Sequence, residues 1–109
     1  MASIIVPVFN RKHLITPCIH SLLQQKMPDY EIIIIDDSST DGTEDVLRAI
    51  PQDDRLSIIR THKNCGPAYA RNRGIERSKG QFIALIDSDC IAHPNWLAEI
   101  IRPFHEDLT

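Results

Sequence analysis

Two carboxylates one residue apart, Asp87 and Asp89 with Ser88 between them, follow directly on the apolar run Gln81-Phe82-Ile83-Ala84-Leu85-Ile86. At the end of a strand such a pair can reach one hard cation, Mg²⁺ or Mn²⁺, and leave its other positions to the oxygens of a diphosphate. The same three residues also suit an Asx turn or a helix cap, so the bare pattern leaves both readings open. A second acidic pair, Asp36-Asp37, closes the apolar run Ile32-Ile33-Ile34-Ile35 and precedes the polar stretch Ser38-Ser39-Thr40-Asp41-Gly42. A carboxylate there, Asp37 foremost, can accept from a base N–H or a ribose hydroxyl, as acidic residues at strand ends do in dinucleotide folds. Asp41 and Gly42 read instead as a solvated turn leading into a helix.

Pro7-Val8-Phe9-Asn10 ends the first apolar run. A free backbone N–H and C=O with an aromatic ring could hold a planar base here; the alternative is Pro7 at an ordinary strand end and Phe9 in the core. Arg71, Asn72 and Arg73 fall on a helix, where an arginine can face a phosphate or simply form a solvated face. His93 follows the acidic pair closely and is assigned to helix capping before Pro94. The five histidines lack metal-ligand spacing, and Gly-x-Ser-x-Gly, a Walker loop and Gly-x-Gly-x-x-Gly are all missing from the sequence. Hydrolase, kinase and dehydrogenase readings therefore have no support.

These residues need a scaffold. Ser3 to Phe9, Ile32 to Ile35, Leu56 to Arg60 and Gln81 to Ile86 are β-branched or continuous apolar runs, which predicts four strands, the non-alternating ones buried on both faces. Leu14, Ile15, Cys18, Ile19, Leu22 and Leu23 recur with helical period between the first two. Asp41 and Glu44 are spaced as a capping box for a short helix with Val46, Leu47 and Ile50 on one face, stopped by Pro51. Gly66-Pro67 starts a third helix through Arg77, whose Ala68, Ala70 and Gly74 permit close packing on a sheet, and Gly80 turns into the fourth strand. Pro94 opens a fourth helix with Trp96, Leu97, Ile100, Ile101 and Phe104 on one face, to be ended or kinked at Pro103. The order β-α-β-α-β-α-β-α with short connections calls for a Rossmann-like α/β fold, a parallel sheet of about four strands with helices on both faces. In such sheets ligands bind beyond the carboxyl ends of the strands, where the polar clusters lie.

The chain of 109 residues, 42% hydrophobic and 25% charged, suits one globular domain spanning 1–109. With a formal net charge of −3 and scattered basic residues, nothing argues for nucleic acid as a partner. Its longest apolar run falls far short of the roughly 20 residues that span a bilayer, and the N-terminus shows no signal-peptide pattern, so a cytoplasmic location is expected. Cys18, Cys65 and Cys90 are odd in number and lack C-x-x-C spacing, which disfavours disulfides and structural zinc; Cys18 is expected in the core.

In order along the chain, Ile4 to Asn10, Leu22-Leu23-Gln24-Gln25, Glu31 to Asp37 with Ser38, Thr40, Asp41 and Gly42, Asn64 to Ala68, Ala70 to Gly74, Gly80, Asp87-Ser88-Asp89, Pro94 and Trp96-Leu97 resemble the start of family 2 glycosyltransferases with the GT-A fold. The resemblance implies the nucleotide-sugar-binding, N-terminal half of that fold. Pro7, Val8 and Phe9, with Asn10, would line the base pocket, and Asp37 would hydrogen-bond uracil or an equivalent base. Arg71 and Ser88 would join the donor site, Asp87 would meet the ribose or sugar, and Asp89, with Asp87 beside it, would coordinate Mn²⁺ or Mg²⁺. It further implies a UDP-sugar donor, a glycan or lipid-linked acceptor, and inverting hexosyl transfer such as serves polysaccharide or cell-envelope glycan synthesis. A parent protein could work at the cytoplasmic face of a membrane. The acceptor half and the catalytic base are expected beyond Thr109, leaving this stretch inactive in transfer and inclined to self-associate through an exposed sheet edge. The alternative is a non-catalytic nucleotide-binding or scaffold module that keeps the fold.

Overall fold

The computed structural model describes residues 1–107. Four strands, β1 (Ala2–Val8), β2 (Tyr30–Asp36), β3 (Leu56–Arg60) and β4 (Phe82–Leu85), alternate with four helices, α1 (Ile15–Leu23), α2 (Thr43–Arg48), α3 (Pro67–Arg77) and α4 (Trp96–Asp107). All strand pairs are parallel and the sheet order is β3-β2-β1-β4. Strand order therefore reverses between β1 and β4, and a crevice opens there at the carboxyl ends.

The continuous apolar runs take the central places, as expected. Alternate residues of β1 and β2 leave opposite faces: Ile4, Val6, Ile32 and Ile34 join a large core under α1, α2 and α4, whereas Ile5, Ile33 and Ile35 pack with Ala70 of α3. Each isoleucine so buried contributes on the order of 1.5–3 kcal/mol by leaving water. α3 lies close enough that a Cβ on Gly74 would come within 2.6 Å of both Ile5 Cγ2 and Ile35 Cδ1. Ala70 and Gly74 thus serve the close packing foreseen for them; Ala68 is exposed. α3 leaves Ile83 and Leu85 of the edge strand β4 exposed.

Three local expectations are corrected. The capping box is not formed: α2 starts at Thr43 with Gly42 as its N-cap, so Glu44 stands one position too early to reach back. Asp41 instead accepts from the backbone N–H groups of Thr43 and Lys12 and from the Thr43 hydroxyl, and these bonds, the hydroxyl's first, lower its pKa. Glu44 turns to Arg48 and Arg60. Secondly, α4 begins at Trp96, after a Pro94-Asn95 turn, and runs on through Pro103. Proline removes one N–H and crowds the carbonyl four residues back, but Pro103 and Glu99 both face solvent, where water can serve that carbonyl. Thirdly, Leu97 and Ile101 form the buried stripe of α4; Ile100 is exposed, and Phe104 is largely exposed while its ring lies 5.9 Å from that of Phe82.

Candidate functional site

A cleft of about 460 Å³ lies over the β1/β4 crevice, in the size range of small-molecule sites. Pro7, Val8 and Phe9 line it from the end of β1, Asp37 from the end of β2, and Asp87, Ser88 and Asp89 from the segment after β4. Sheet register explains the convergence. Val8 pairs with Asp36 and Ile5 with Leu85, so the residues that follow β1, β2 and β4 emerge at one edge. Phe9 is 41% exposed, which favours the pocket reading over the core reading for its ring.

Asp37 is only 2% exposed, and its carboxylate is filled by one loop. The Thr61 hydroxyl donates to Oδ1 at 3.0 Å, the Cys65 N–H to Oδ1 at 3.0 Å, the Asn64 amide to Oδ2 at 3.2 Å and the Gly66 N–H to Oδ2 at 2.8 Å. Gly66 has φ of +94°, a conformation suited to glycine, and Pro67 follows as the first residue of α3. Asp37 thereby fixes where segment 61–66 and the start of α3 meet the cleft. Its neighbour Asp36 points to the other side of the sheet, paired with Arg60 at 2.7 Å and accepting from the Ser39 N–H.

Asn10 and Arg71 stand outside this lining. Asn10, at φ of +53°, receives the Thr40 N–H on its Oδ1 at 2.8 Å and so ties the ends of β1 and β2 together. Arg71 lines a smaller adjoining cavity with Pro7, Pro67, Leu85, Ile86 and Asp87. Conversely, Arg11, Asn64, Gly66, Pro67 and Ala70 line the cleft without having been singled out for binding. Asn64, Gly66 and Pro67 had entered through the ordered pattern and as the start of a helix, and only the folded cleft and the Asp37 contacts of Asn64 and Gly66 bring them to the site.

On the acidic side, Asp87, Asp89 and Cys90 each offer a donor atom, and these atoms lie within 4.8 Å of one another. The Cys90 N–H donates to the Asp87 carbonyl at 3.1 Å, closing a tight turn. Two carboxylates suit Mn²⁺ or Mg²⁺, so the residues present fit the expected cation. Beneath them Cys18 is buried, as expected, with its thiol 3.8 Å from the Asp87 carbonyl; burial, reinforced by Cys90 and Asp89, pushes it up to about 12. His93 closes the turn before α4: its Nδ1 accepts the Asn95 N–H and its carbonyl the Trp96 N–H, while the Leu97 N–H in the first turn of the helix goes to Gln25 Oε1.

The family model described as Glycosyl transferase family 2 matches residues 3–109. The chain belongs to that family. It is 43% identical over 91 residues to the poly(ribitol-phosphate) beta-glucosyltransferase of Bacillus spizizenii, a match covering 80% of this chain and 14% of that protein. The crystal structure of S. aureus TarS 1-349 in complex with UDP superposes with a TM-score of 0.86 at 29% identity, over 96% of this chain and 32% of that one. The mannosyltransferase PcManGT from Pyrobaculum calidifontis, in complex with GDP-Man and Mn²⁺, gives 0.86 at 26% identity, over 93% and 31%. The four-stranded parallel sheet is thus that of GT-A glycosyltransferase structures. The family 2 chain spans between 14% and 36% of the length of the curated relatives it matches. Among the described residues no helix is long and apolar enough to cross a membrane.

Proposed function

We propose that residues 1–109 are the nucleotide-sugar-binding domain of a family 2 glycosyltransferase, taking a UDP-sugar with Mn²⁺ or Mg²⁺. The whole protein then transfers the sugar, with inversion, to a hydroxyl of a glycan or lipid-linked acceptor. One observation carries the reading: a single cleft gathers Phe9, Asp37, Asp87 and Asp89 from three strand ends of a family 2 chain. The UDP, UDP-GlcNAc and GDP-Man complexes of similar structures support a nucleoside diphosphate sugar as the occupant.

In this reading Pro7, Val8 and Phe9 receive the base, with Asp37 both bounding that pocket and holding the 61–66 loop against it. Asp87 meets the ribose or sugar, and Asp89 with Asp87 holds the cation. When bound, the cation supplies positive charge that stabilises the leaving diphosphate. In transfer, the acceptor oxygen bonds to the anomeric carbon as that carbon's bond to the diphosphate oxygen breaks, and the hydroxyl proton passes to a carboxylate base. No residue of 1–109 is assigned that last role.

The competing reading, a module that keeps the fold but binds no nucleotide, draws on the four donors that already fill the Asp37 carboxylate. Titration of UDP, GDP and TDP with Mn²⁺ and with chelator, followed by the fluorescence of Trp96, the sole tryptophan, separates the two. Saturable, metal-dependent binding with UDP tightest supports the donor site. A folded protein indifferent to all three nucleotides sinks it in favour of the scaffold.

A further inference from the structure

Gln25 lies just past the end of α1, is 7% exposed, and commits both ends of its amide to the chain around it. Its Nε2 donates to the Ser21 carbonyl at 3.1 Å, in the last turn of α1 where carbonyls lack helical partners, and to the His93 carbonyl at 2.8 Å. Its Oε1 accepts the Leu97 N–H at 2.8 Å in the first turn of α4. One turn earlier, the Ser21 hydroxyl accepts the Ala92 N–H at 2.9 Å while donating to the Cys18 carbonyl. The Lys26 N–H reaches the Pro94 carbonyl at 2.8 Å. These bonds converge on the stretch between β4 and α4, which carries Asp87 and Asp89 and has turns but no helix or strand of its own. Apart from the α4 residues that follow it, the hydrogen bonds that reach residues 87–94 from elsewhere among the described residues come from Cys18, Ser21, Gln25 and Lys26. The near end of the stretch is fixed by β4, where the Ile86 N–H meets the Ile5 carbonyl at 3.3 Å; the far end is fixed by α1.

We infer that Ser21 and Gln25 are positioning residues for Asp87 and Asp89: by fixing residues 92–97 they hold the turn at 87–90 with both carboxylates toward the cleft. That the carboxylates hold a cation rests on the proposed function; that α1 holds their turn does not. Gln25 suits the task because an amide offers two donors and an acceptor from one side chain. With that anchor gone, the turn must be ordered when the cation binds, and the apparent cation affinity falls by the fraction of time the turn is out of place. The base pocket, built from the ends of β1 and β2, is untouched by this loss. Release of the anchor should therefore raise the Mn²⁺ concentration that UDP binding requires, while UDP affinity at saturating Mn²⁺ returns to the wild-type value.

The test compares Gln25→Met and Ser21→Ala with Ser21→Thr, which keeps the hydroxyl, and with Ile19→Val, which weakens the core through an apolar side chain of the same helix. Amide exchange is read at Cys90, whose N–H bonds to the Asp87 carbonyl and touches neither Ser21 nor Gln25. Mn²⁺ is titrated at fixed UDP by calorimetry, with circular dichroism confirming that each variant is folded. Exchange at Cys90 should rise about tenfold or more in Gln25→Met and Ser21→Ala, in keeping with the cost of leaving buried polar groups unpaired, and should stay near wild type in the other two. The Mn²⁺ requirement should rise about tenfold in Gln25→Met, the lower end of what lost outer-shell support costs a metal site. Unchanged Cys90 exchange in both Gln25→Met and Ser21→Ala, an equal rise in Ile19→Val, or faster exchange with an unmoved Mn²⁺ requirement overturns the inference. A wild-type chain that binds no UDP removes the proposed function instead, and Cys90 exchange, read without nucleotide or metal, then decides alone whether α1 holds the turn.

Discussion

Gly66 donates its backbone N–H to Asp37 Oδ2 at 2.8 Å, linking the end of β2 to the residue that introduces α3. With Thr61, Asn64 and Cys65 on the same carboxylate, one buried side chain sets the shape of a wall of the cleft. Asn at position 37 would offer a single acceptor oxygen and turn an NH₂ toward groups that are themselves donors. Asp37→Asn should therefore lose about 2 kcal/mol or more of stability, since bonds to a charged acceptor are worth about 1.5–3 kcal/mol each. Amide hydrogen exchange at Cys65 and Gly66 should accelerate and UDP binding should be lost. Unchanged exchange at both amides would show that the loop is held by something else.

Asp89 calls for the opposite outcome. It is exposed, and among the described residues its one hydrogen bond is the weak one from the Cys90 thiol. Asp89→Asn should weaken Mn²⁺-dependent UDP binding while moving stability by no more than about 0.5 kcal/mol, the usual range for surface changes. A large drop in melting temperature would make the residue structural instead.

Gly74→Ala tests how α3 is seated. The added Cβ would meet Ile5 and Ile35 at 2.6 Å, which forces two core side chains or the helix to shift. Overpacking of this kind costs about 1–3 kcal/mol, more than the gain in helix propensity returns. Denaturant unfolding should show the loss; a stabilised variant would mean that α3 rides further from the sheet than described.

Acid should act on a site far from the cleft. Arg55 donates through Nε and Nη2 to Asp53, and these side-chain bonds foremost, with the Arg55 backbone N–H, lower the carboxyl to about 2. The folded value lies below the unfolded one, about 3.9. The pair's stabilising effect is thus full above pH 4 and fades as pH falls toward 2. Arg55 also donates to the Tyr30 hydroxyl and the Leu23 carbonyl, so the pair braces α1 against β2. Asp53→Asn should flatten the pH dependence of urea midpoints between pH 4 and 2; an unaltered slope would assign it to other carboxylates.

Much of this was legible in residues alone because the strongest signals are non-local demands met locally. Ile4-Ile5-Val6 and Ile32 to Ile35 are apolar on both faces, and only central strands of a covered sheet satisfy that. Asp37, Asp87 and Asp89 could be placed at one edge because each closes or follows such a run. What escaped were features that depend on contacts across the chain. The register of α2 turned on a single residue, Gly42 rather than Asp41 as N-cap. Proline at 103 signals a helix end, yet its exposed position allows α4 to continue. Asn10 was read only for a base pocket, and its left-handed backbone and its bond from the Thr40 N–H, which tie two strand ends together, carry no local signal. Arg11 and Asn64 carry no local pattern that separates them from ordinary loop residues, and only the folded cleft brings them in.

Calorimetric titration of UDP into the chain, in Mn²⁺ and again in chelator, tests the central claim most directly. The account predicts saturable one-to-one binding in Mn²⁺ that chelation abolishes or greatly weakens, together with its loss in Asp89→Asn. Absence of heat and of saturation in Mn²⁺, from a protein shown to be folded, would contradict it and leave the cleft a feature of family descent without a working donor site.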